Sequence, residues 1–76
     1  MDDMQHPVIG FGLDYANELV YCEAVMKENH YEVLFDGHWI ASVVHNDEME
    51  WSQASGTILP EAIIEEIGFR IDSNYK

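Results

Sequence analysis

Positive charge is almost absent from this chain. Its 76 residues hold three bases, Lys27, Arg70 and Lys76, against fifteen acids, for a formal net charge of −12 at pH 7. Such a field repels nucleic acid and anionic membranes and favours cationic partners. The expectation is therefore a protein partner that is basic or amphipathic, with no direct nucleic-acid binding and no membrane. Cysteine is nearly missing as well: Cys22 stands alone, which excludes an intrachain disulfide and a thiolate zinc site and suits a reducing compartment. No apolar run approaches membrane-spanning length. Residues 1–6 are acidic and lack the apolar core of a secretory signal. The expected location is cytoplasmic.

Apolar residues make up 47% and aromatics 12% of the chain, too many for intrinsic disorder. A chain of this length forms one domain, 1–76, and buries only about 60% of its unfolded surface. No repeat, linker or low-complexity segment divides it. Residues 1–18, with Pro7, Gly10 and Gly12 around Val8 to Leu13, read as a loosely structured N-terminal arm holding at most a short strand.

The clearest element is a hairpin. Tyr31 to Phe35 runs into Asp36-Gly37 and returns through His38 to His45. Asp-Gly supplies the positive φ angles of a type I′ turn between β-branched and aromatic strands. A two-residue loop pairs Phe35 with His38, Leu34 with Trp39 and Val33 with Ile40. Asn46-Asp47-Glu48 then turns the chain into a short strand through Met49, Glu50 and Trp51, ended by Ser55-Gly56. Residues 19–29 fit two patterns: Tyr15, Leu19, Cys22 and Met26 share a helical face, and Val20, Cys22, Ala24 and Met26 share a strand face. Register favours the strand, because a turn at Glu28-Asn29 sets Met26, Ala24 and Cys22 against Tyr31, Val33 and Phe35.

A helix over 60–72 follows. Pro60 suits its first turn, Glu61, Glu65 and Glu66 its N-terminal half and Arg70 its C-terminal half. Ile63, Ile64, Ile67 and Ile71 form one stripe. Gly68 weakens it by about 1 kcal/mol relative to alanine. The fold class is α+β: an antiparallel β-meander of three to four strands over 19–54, with one C-terminal helix packed on one face.

Alternation divides the side chains. Face A, the seat of the helix, takes Cys22, Ala24, Met26, Val33, Phe35, Ile40, Val44, Met49 and Trp51. Face B takes Tyr21, Val25, Leu34, Trp39 and Val43 among Glu23, Glu32, Glu48 and Glu50. An aromatic anchor ringed by acids reads as a partner-binding patch built on Trp39, Leu34, Tyr21, Glu23 and Glu32, which also admits a homodimer. The bland reading is that residues 8–13 fold over this face, or that its apolar groups are ordinary half-exposed ones.

The acids allow a second function. Asp47, Glu48 and Glu50 at the last turn, with Glu61, Glu65 and Glu66 on the helix, form an array that imitates nucleic-acid phosphates and blocks a basic groove; the bland reading is a solvated surface. His30 and His45, with Glu48 and Glu50, gather at one end of face B and are weak metal-ligand candidates, although ordinary surface residues or His–Glu pairs explain them as well. His38 belongs to face A. Cys22 has no positive neighbour to activate it and reads as a buried thiol. Gly10-Phe11-Gly12 lacks the third glycine and the Lys-Ser/Thr of a phosphate loop. No catalytic residue and no cofactor is expected.

The run Tyr31 to Ala41, then Trp51, then Leu59-Pro60-Glu61 with Ile63, Ile64, Ile67 and Gly68 resembles short acidic uncharacterised bacterial proteins with a hairpin followed by a Leu-Pro-Glu helix. The resemblance covers about half the chain. It implies a fold type and a bacterial or phage setting, and brings no activity.

A net charge of −12 strains the compact state by self-repulsion. The thermal midpoint should therefore rise by several degrees between about 10 mM and about 0.5 M salt, as the Debye length contracts from roughly 30 Å to below about 10 Å. A midpoint that falls instead contradicts this account.

Overall fold

The computed structural model describes residues 8–48 and 50–74. Met49, expected on the helix side of the sheet, and residues 1–7 of the expected arm lie outside them. The chain builds five strands and a helix: β1 (Val8–Tyr15), β2 (Glu18–Met26), β3 (Tyr31–Phe35), β4 (His38–His45), β5 (Trp51–Gly56) and α1 (Glu61–Asn74). The strands form one antiparallel sheet in sequence order.

Five strands replace the expected three to four because Val8–Tyr15 is no loose arm. It pairs along its whole length, from Val8 with Val25 to Tyr15 with Glu18. The turn between them is Ala16-Asn17, both at positive φ (54° and 66°). This is the same left-handed pair that Asp36-Gly37 makes at 52° and 86°. Alanine does not advertise such a turn, since its Cβ opposes that conformation. The strand reading of 19–29 holds, with Met26, Ala24 and Cys22 facing Tyr31, Val33 and Phe35.

The sheet buries one side. Ile9, Phe11 and Leu13 of β1, Cys22 and Ala24 of β2, Val33 and Phe35 of β3, and Ala41 and Val43 of β4 meet Leu59, Ile64, Ile67 and Ile71 in a single core. Within the isoleucine stripe, Ile64, Ile67 and Ile71 are buried and Ile63 is half-buried. Burying each such side chain stabilises by about 1.5–3 kcal/mol, which a helix of 14 residues needs because it is marginal alone. The helix starts where Pro60 lends its carbonyl to the N–H groups of Ile63 and Ile64, at 2.9 and 3.1 Å. Gln53 ties the approach to it: its Oε1 accepts from Leu59 N–H at 3.0 Å, and its Nε2 donates to the carbonyls of Ser55 and Thr57.

Two bulges correct the expected sidedness of β4 and β5. Val33 pairs with Ala41, not Ile40, and the register shifts between Val33 and Leu34. Ile40 is the extra residue, half-buried at the margin of the core, and its carbonyl accepts from Thr57 N–H at 2.9 Å. One inserted residue reverses every later side chain. Val43 therefore moves into the core at 0% exposure, and Val44 moves to the open face beside Trp39 and Ser42. The last strand is Trp51–Gly56, so it includes the Ser55-Gly56 expected to end it, with a second shift between Ser42 and Val43.

Trp51 locks the helix to the sheet edge. Its indole stacks on His45 at 4.6 Å, meets Tyr31 edge-on at 5.6 Å and donates from Nε1 to Asp72 Oδ2 at 3.2 Å. A Cβ on Gly68 would overlap the root of that indole. Gly68→Ala should gain about 1 kcal/mol of helix propensity and lose about 1–3 kcal/mol to overpacking. The expected net result is a lower thermal midpoint; a midpoint that rises would show that the indole gives way freely.

Candidate functional site

The helix covers one face, and no described helix or strand lies over the other. Strand pairing lays its side chains in rows. One row runs Gly10, Glu23, Leu34, Trp39; the next runs Val8, Val25, Glu32, Ser42, Ser55. Tyr21 stands opposite Gly12. The five residues expected to form the patch, Trp39, Leu34, Tyr21, Glu23 and Glu32, thus fall within neighbouring rows of this face. Trp39 is 50% and Tyr21 53% exposed, so the two rings are the half-wet groups that a partner would desolvate.

Sequence reasoning missed three members. Val8 and Leu19 add apolar surface, with Leu19 76% exposed, and Gly10 is the floor on which Tyr21 lies. A Cβ on Gly10 would overlap the tyrosine ring and its Oη. The alternation of Val8 to Asp14 carries that signal, but Pro7, Gly10 and Gly12 give the segment the look of an arm.

Glu32 organises the middle of the face. Its carboxylate takes the indole N–H of Trp39 on Oε1, and His30 Nε2 on Oε2 at 2.6 Å. These two hydrogen bonds, that of His30 first, hold the Glu32 carboxyl below the ordinary carboxylate range, against a small opposing effect of burial. Trp39 thereby has its one polar atom satisfied and its ring half exposed. Beside it lies a shallow hollow of about 510 Å³ lined by His30, Glu32, Trp39, Ser42, Val44 and Ser55, with Asn29 and Ala54. Ser42 and Ser55 share a hydrogen bond of 2.6 Å across its floor.

The acidic array assembles in part. Glu50, Glu61 and Glu65 line one groove of about 350 Å³ between β5 and α1, joined by Asp72 and by the rings of Trp51 and Phe69. Asp72 was missed, although 61, 65 and 72 share a helical face. Glu66 turns away, accepting from Arg70 Nε at 2.9 Å. Asp47 and Glu48 stay exposed on the β4–β5 turn, where Asn46 Oδ1 accepts from the N–H groups of Glu48 and Glu50.

The expected His30, His45, Glu48 and Glu50 grouping is not formed. The β4 bulge turns His45 to the helix side, onto Trp51, while His30 stays on the open face with Glu32. Glu50 borders the helix groove. Among the described residues no three His, Cys, Asp or Glu side chains stand close enough to hold a metal. Cys22 is fully buried, and burial first, then the charge of Glu23, pushes its thiol up to about 12; it stays protonated at neutral pH. Among the described residues no helix is long and apolar enough to cross a membrane.

Because Glu32 titrates below its ordinary value of 4.5 in the folded chain, its contribution is complete above that value and is lost as pH falls through the lower folded one. In about 0.5 M salt, where general repulsion is screened, Glu32→Gln should lower the thermal midpoint at pH 7 by about 1–5 °C. The gap from wild type should close in acid. A gap that is constant from neutral to strongly acid pH would show that the charge has no part in it. No protein-family model, no curated protein and no solved structure matches the chain.

Proposed function

We propose that this chain is a non-catalytic protein-interaction module that binds a basic or amphipathic protein partner through the open sheet face, in a bacterial or phage cytoplasm. The observation that carries this reading is Trp39: a large ring held by Glu32 on a face that no described element covers. Exposed aromatic groups ringed by polar ones are the usual anchors of protein interfaces. Leu34 and Tyr21 extend the apolar surface, and Glu23 and Glu32 supply the acidic rim that a cationic partner complements. Self-pairing through this face is the homodimer form of the same idea, and a charge of −12 on each copy opposes it.

A nucleic-acid mimic that occupies the basic groove of a nucleic-acid-binding protein is the second reading. It is favoured by the groove where Glu50, Glu61, Glu65 and Asp72 converge. The two readings differ in what holds the partner: desolvated rings in one, and charge that mimics phosphate in the other.

Capture of host proteins by wild type and Trp39→Ala, in low and high salt and with added DNA, separates them. Trp39→Ala should still fold, with a midpoint lowered by several degrees for the lost Glu32 hydrogen bond and half-buried ring. It should lose capture by about tenfold or more at a temperature where both chains are folded, and the wild-type complex should survive salt. Capture that ignores Trp39 and is abolished by salt or DNA supports the mimic. Capture indifferent to all three removes both readings.

A further inference from the structure

The free edge of the sheet at β1 differs from the edge at β5. The β1–β2 hairpin closes through the two-residue loop Ala16-Asn17, with Tyr15 opposite Glu18. In such a hairpin the pair flanking the loop exchanges both main-chain hydrogen bonds, and every second pair repeats this. Tyr15, Leu13, Phe11 and Ile9 therefore bond inward to β2. The N–H and C=O groups of Asp14, Gly12, Gly10 and Val8 point outward, and no described strand pairs with them.

Proteins blunt such edges with proline, lysine, bulges or short strands. β1 has none of these: it runs eight residues, VIGFGLDY, in unbroken register. The β5 edge is shorter, its register with β4 is shifted, and Gln53 folds the following loop back along it. Next to β1 the helix leaves two hollows, of about 320 and 220 Å³, bordered by Leu13, Phe11, Ile63, Glu66 and Arg70. On the opposite face Gly10 and Gly12 place no side chain between an arriving strand and Tyr21 or Glu23 of β2.

We propose that the β1 edge is a strand-addition site, at which an extended cationic segment of a partner protein, alternating apolar and Lys or Arg residues, pairs with Val8–Asp14 as a sixth strand. Main-chain bonds to the outward groups would provide affinity, and alternate side chains would enter the hollows beside α1 or face the acids of the open side. Charge selects this occupant: a body of net charge −12 attracts a cationic strand and repels a second copy of itself. The inference rests on the reading of the chain as a protein-binding module, but it uses a surface other than the Trp39 patch.

The probe is a synthetic peptide of alternating valine and lysine, with a control of the same composition in two blocks. With the alternating peptide, the amides of Gly10, Gly12 and Asp14 should exchange with deuterium at least about tenfold more slowly, and the control should have little effect. Gly12→Pro removes one outward N–H that is paired with no described strand, where a proline is tolerated. It should weaken binding by about tenfold with little change in melting; if that variant does not fold, the wild-type exchange pattern decides alone. Trp39→Ala should leave peptide binding unchanged. Equal effects of both peptides, protection elsewhere, or dependence on Trp39 overturns the edge site. Protection of the same amides that grows with protein concentration, without peptide, overturns it in favour of a second copy. Peptide binding at the edge together with partner capture that ignores Trp39 would leave the edge site standing and remove the patch.

Discussion

One helix lies on a five-stranded sheet and covers one of its faces. Every other feature follows from that asymmetry. Ile64, Ile67 and Ile71 bury themselves against Val33, Val43, Cys22 and Ala24, and this contact holds a short helix that could not persist alone. The same contact leaves the opposite face wet. Apolar groups on a wet face are common when scattered; here Val8, Leu19, Tyr21 and Trp39 all remain half exposed or more, on strands whose other face supplies the core.

The bulge at Ile40 decides what each face presents. Without it, Val44 would point to the helix and Val43 to water. With it, Ala41 and Val43 fill the core, Ser42 and Val44 border the hollow beside Trp39, and His45 passes to the helix side to stack on Trp51. That stack, the Asp72 hydrogen bond and the bare Gly68 together let the indole lie against the helix. A single inserted residue thus closes one face, opens the other and separates two histidines.

Charge is spread over the whole surface, but it is not uniform in effect. Most of the carboxylates face water. Glu32 differs because two N–H donors converge on it and fix the ring of Trp39. Glu50, Glu61, Glu65 and Asp72 differ because the helix and β5 bring them to one groove. On the proposed reading, a partner for either place is cationic or covers an aromatic ring.

The sequence by itself determined the α+β class, the central hairpin, the helix after Pro60, the side of the sheet on which the helix sits and the placing of Trp39 opposite to it. These are local properties: a turn dipeptide with positive φ, a period of two, a period near four. The face positions of Leu34, Tyr21, Glu23 and Glu32 were legible for the same reason, since each lies before the first bulge. Only the tertiary structure decided the rest. β1 became a full strand because pairing with β2 repays an Ala-Asn turn that alanine alone disfavours. Ile40, Val43, Val44 and His45 took their sides from a bulge, which leaves no mark in hydrophobic alternation. Asp72 shares a helical face with Glu61 and Glu65, but only the packing of α1 against β5 brings Glu50 and the ring of Trp51 to them. Alternation records which way a side chain points relative to its neighbour in sequence; only pairing between strands counts the residues from which that direction is measured.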